Sequence, residues 1–251
     1  MQIALDPVAL LAFLLAFARA VGFVVVALPF ALPVVPRTAQ VGIAVAFGIG
    51  TEPLAARVPL PATTVGLVGQ ATMQLVIGAA LGFCVMLFLS LGESAGGLVG
   101  ILGGFATPPS LDPLTANEVP ITGQFYNLLW IVLFFVSGAD VVVVEGYAQS
   151  FSAASFVHPA TGVALVVRAV TILFASSLEV ASPVLAVMFL SQVVVGILVK
   201  VAPQLYALTF LFPLQILLSL ILMIVSVPIL PHLFDAGIRD LLALERDVLG
   251  G

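Results

Sequence analysis

Arg168, Glu179 and Lys200 carry the chemistry in this sequence that is hardest to place, because each stands within or at the edge of a long apolar run. Arg168 and Glu179 are eleven residues apart. Eleven helical steps of about 100° return to nearly the same face, roughly 16 Å further along the axis. The two are therefore too distant to pair, and each needs another partner or a wet surface. Charges at such depth usually face a bundle interior, another subunit or a water-filled path. The alternative is that Glu179 and Lys200 mark short surface loops while Arg168 snorkels. Both readings stay open from the residues alone.

Nothing else in the chain assembles into a reactive centre. There is no G-x-x-x-x-G-K-[ST] loop for nucleotide phosphates, no H-E-x-x-H helix and no G-x-S-x-G turn. His158 and His232 are far apart in sequence and lack metal-ligand spacing. Cys84 is the single cysteine, which excludes an intrachain disulfide; inside an apolar run it reads as a buried, inert thiol. Asp140 and Glu145 bracket a valine run, as expected near a segment end. An enzyme reading has no support, and neither cofactor nor metal is expected.

The elements that must position these residues are apolar. Of 251 residues, 62% are hydrophobic and 8% charged, where an ordinary soluble domain carries roughly a quarter charged. Such a chain cannot cover its surface with polar groups, so its apolar side chains must meet lipid or other subunits. The formal net charge of −5 and seven scattered cations offer no basic patch for nucleic acid. Asp6 precedes the first apolar run without Lys or Arg, unlike a secretory n-region, so that segment is expected to stay in the mature protein.

Apolar stretches run from Val8 to Val35, Ala39 to Gly50, Ala62 to Gly92, Ile121 to Ala139, Gly162 to Val199 and Val201 to Leu230. A bilayer core of about 30 Å needs about 20 helical residues. The second stretch is too short to cross alone, and the third and fifth are too long for one perpendicular span. Five or six segments result, without the period-two alternation of a membrane barrel. Gly78 and Gly82 form a small-xxx-small pair, and Gly92, Gly96, Gly100 and Gly104 repeat its spacing. Such a stripe lets helix backbones approach closely; a glycine-rich loop is the alternative. After it, residues 105–120 contain four prolines, which forbid a regular helix. A loop this long is usually functional or disordered. From Pro231 the chain turns amphipathic, with Phe234, Ile238, Leu241 and Leu242 at three- and four-residue steps among acids and arginines. That mixture suits docking on another protein better than an anionic membrane surface.

Three stretches carry a family likeness. Leu75 to Phe83, Phe105-Ala106-Thr107 with Asp112-Pro113, and Ala202-Pro203-Gln204-Leu205 with Phe212-Pro213-Leu214 resemble, in order and spacing, motifs of the flagellar biosynthetic FliR family and type III secretion R-type export-gate subunits. Val199-Lys200 and Leu211 depart from that pattern. The resemblance implies an all-α integral membrane-complex protein of long kinked helices and helical hairpins. Residues 1–160 would be P-type-like and 161–251 a Q-type-like hairpin, with residues 162–199 one long helix kinked near Pro183. It implies a single-copy gate subunit in the bacterial inner membrane, of a flagellar or injectisome system. Its partners would be P-type, Q-type, B-type and A-type subunits, and its substrates unfolded exported proteins. Residues 103–120 would be a pore plug, with Phe105, Thr107, Leu111, Asp112 and Pro113 in it and Phe105 and Leu111 as apolar seals. The tail, 231–251, would hold the B-type subunit, and truncation after Leu230 would spare the rest. A small-solute secondary transporter is the competing reading; it requires two similar halves with discontinuous helices, and no convincing repeat is visible.

Overall fold

The computed structural model describes residues 7–28, 30–32, 35–57, 63–105, 120–151, 159–201 and 207–248. Among them every regular element is helical, so the expected all-α class is found. In chain order these are α1 Pro7–Val26, α2 Arg37–Ala55, α3 Thr64–Leu102, α4 Ile121–Val136, α5 Ala139–Gln149, α6 Pro159–Val201 and α7 Ala207–Ser226. A 3-10 turn, Val227–Ile229, then leads into α8, Leu230–Val248. Among the described residues, four helical stretches are long and apolar enough to cross a membrane: Pro7–Val26, Thr64–Leu102, Val170–Val194 and Gln215–Arg239. A fifth arises if α4 and α5, bent by 68° at their junction, count as one span. The bend sits at Gly138, whose φ of 74° is open to glycine at little cost. The segment expected from Ile121 to Ala139 therefore continues past its glycine as a second helix.

The two over-long apolar runs are single helices. α3 has 39 residues and α6 has 43, about 58 and 65 Å at 1.5 Å per residue. α6 passes through Pro183, which cannot donate a hydrogen bond to the Glu179 carbonyl. The Ser182 hydroxyl donates to that carbonyl instead, at 2.8 Å. A local side chain thus satisfies the acceptor that proline orphans. α2 is longer than its apolar run, at 19 residues, yet is absent from the four spans above.

The chain forms two compact units that interleave in sequence. One comprises Met1–Phe88, Gly138–Val170 and Arg239–Gly251; the other comprises Leu89–Ser137 and Thr171–Ile238. The division expected after residue 160 concerns likeness to other subunits, a separate matter from this packing. The core of the first unit is aromatic. Tyr147 lies 5.0 Å from Phe23 and 5.1 Å from Phe47, ring centre to ring centre, the latter nearly edge-on at 87°. Tilted and edge-on pairs place ring edges against the negative faces of their neighbours.

In the second unit, Trp130 and Tyr126 of α4 are buried. The Trp130 ring meets Phe234 at 4.9 Å, and the Tyr126 and Ser226 hydroxyls are 2.7 Å apart. This changes the reading of the tail. Pro228 lies in the 3-10 turn and Pro231 in the first turn of α8, where a missing N–H breaks no intrahelical bond. Helix therefore resumes at once and carries Phe234 into the core of the chain itself. α8 also continues through Gly237. A truncation after Leu230 removes a core side chain, so the separable part of the tail starts later than the sequence suggests.

Candidate functional site

Close backbone approach defines the α1–α3 crossing of the first unit. A Cβ built on Gly78 would strike the Arg19 carbonyl oxygen, and one on Gly22 would strike that of Leu75. One on Gly82 would lie 2.7 Å from the Phe23 oxygen. Glycine is thus required on both helices, and Gly22, on α1, has no second glycine four residues away to betray it. In the second unit, a Cβ on Gly92 would lie 2.6 Å from the Trp130 Cβ and 2.9 Å from the Tyr126 oxygen, and one on Gly96 would lie 2.8 Å from the Gly123 Cα. A Cβ on Gly100 would lie 2.7 Å from the Pro120 Cβ.

Gly104 does not extend this stripe. α3 ends at Leu102, and Gly104 has a φ of 77°. The Phe105 amide donates to the Gly100 carbonyl at 3.0 Å, six residues back to one, as in a Schellman cap. Gly104 therefore stops the helix, and the chain leaves it at the start of the proposed plug. Two side chains fasten the same end. Gln192 Nε2 of α6 donates to the Leu102 carbonyl at 3.4 Å, and Gln215 Nε2 of α7 donates to the same oxygen. Gly103 rests against the Ser219 Cβ. With Pro120 against Gly100, both ends of the 106–119 segment are anchored in one unit. Phe105 is half-buried at the exit. Thr107, Leu111, Asp112 and Pro113 lie outside the described residues, as does the Ala202 to Leu205 motif.

Arg19 is the charged group that the spacing of residues does not single out. It lies within the first apolar helix and is only 3% exposed. Its Nε donates to Gln74 Oε1 at 2.7 Å and its Nη1 donates to Ser150 Oγ at 2.6 Å. Its guanidinium carbon sits 3.8 Å from the centre of the Phe151 ring. A planar fork over an aromatic face suits arginine and not lysine. Neutral oxygens and a π face compensate the charge, and α1, α3 and the end of α5 are thereby tied together. Glu179 and Lys200 are exposed on α6, and the Arg168 side chain lies outside the described residues. The arrangement offers packing and anchoring; among the described residues, no group of three His, Cys, Asp or Glu side chains is placed to hold a metal ion.

A family model for bacterial export proteins, family 1, matches residues 10–241. The chain belongs to that family. The match covers both glycine stripes, the anchored ends of the 106–119 segment and most of α8. Curated export-family relatives include the surface presentation of antigens protein SpaR of Shigella sonnei, 26% identical over 153 residues, 61% of this chain and 60% of that protein. The flagellar biosynthetic protein FliR of Pectobacterium carotovorum subsp. carotovorum is 27% identical over 190 residues, 73% of this chain and 72% of its own. The FliR of Escherichia coli K12 is 24% identical over 218 residues, 86% and 84% respectively. The chain spans about three fifths of the length of the SpaR relatives it matches.

Proposed function

We propose that this chain is a multi-pass inner-membrane component of a flagellar or type III protein-export apparatus, and there the single R-type subunit that helps form and close the export pore. The carrying observation is the family match from residue 10 to residue 241, which overlaps each of the four stretches among the described residues that are long and apolar enough to span a membrane. The FliR and SpaR relatives support the same assignment. Close glycine-mediated packing suits a rigid assembly in which helices associate through shape. In this reading P-type and Q-type subunits surround the chain, and the B-type and A-type subunits dock on the cytoplasmic side. Unfolded proteins are the cargo.

Residues 103–120 act as the plug. Support comes from the anchoring of both its ends, since a segment that must block a pore and yield to cargo needs fixed hinges. Arg168, Glu179 and Lys200 of the long α6 serve as contacts to neighbouring subunits. The experiment is affinity purification of the tagged chain from its own membranes, with quantitation of what accompanies it. One copy among several P- and Q-type subunits is expected. A self-contained homodimer that moves small solutes in liposomes would overturn the proposal in favour of a secondary transporter.

A further inference from the structure

We draw no further inference here: the strongest candidate, the exposed apolar surface of α6 between Val170 and Ile197 that carries the exposed Glu179, is an unpartnered helix face, and nothing in the structure shows what covers it.

Discussion

The Arg19 carbonyl oxygen occupies the place where a side chain on Gly78 would have to begin. Arg19 therefore serves α3 twice, accepting the bare backbone of Gly78 through its main chain and binding Gln74 through its side chain one turn earlier. α1 can lie this close to α3 because the glycines open the space, and the guanidinium can be buried because the close approach brings a polar partner within reach.

Gly78→Leu and Gly82→Leu should each cost about 1–3 kcal/mol by overpacking, and the pair together should abolish assembly. Gly69 and Gly97 lie on the same helix with nothing within 4 Å of an added Cβ. Gly69→Ala and Gly97→Ala should leave assembly intact. Thermal stability and complex yield in detergent measure both sets; a stable Gly78→Leu/Gly82→Leu assembly would contradict the packing account.

Arg19→Met should destabilise the chain by about 1–3 kcal/mol, because Gln74 and Ser150 lose a charged donor in a buried place. Arg19→Lys should recover only part of that loss, since a lysine cannot bridge both partners and lie flat on Phe151. Ranking the melting temperatures of the three proteins checks this. Equal stability of all three would show that the network contributes nothing.

A Gln192→Leu/Gln215→Leu double variant should loosen the end of α3, while either single variant should do less, because both amides share the Leu102 carbonyl. Ion leakage through the assembled complex is the readout. The expected order is wild type, single variants, then double variant, and a flat series would separate the clamp from pore closure.

Truncation after Leu230 should reduce assembly, because it removes the Phe234 ring that covers Trp130. Truncation after Arg239 keeps that contact, and should preserve assembly while lowering retention of the B-type subunit. Co-purification of the two truncated chains distinguishes the roles of the two halves of α8.

How much of this was legible in the sequence follows from range. The spacing of Gly78 and Gly82, and of Gly92, Gly96 and Gly100, is local, and residue order displays it. The helical class follows from apolar composition in the same way. Arg19 is different: its partners are 55 and 131 positions away, and no periodicity in α1 points to them. The clamp on Leu102 spans 90 and 113 positions. Gly104 continued the four-residue spacing but ended the helix, because a cap glycine and a packing glycine look identical in a one-dimensional pattern. By its spacing Phe234 reads as part of an amphipathic face for docking on another protein, because nothing near it in sequence announces Trp130.

The central claim is that the chain closes an export pore through the segment held between Gly104 and Pro120. The most direct measurement is ion conductance across membranes containing the complete assembly, with residues 106–119 replaced by a short Gly-Ser linker. Both anchors remain in that variant, so assembly should match wild type. The account predicts leakage well above wild type with the subunit composition unchanged. Wild-type conductance in a fully assembled, shortened variant would contradict it.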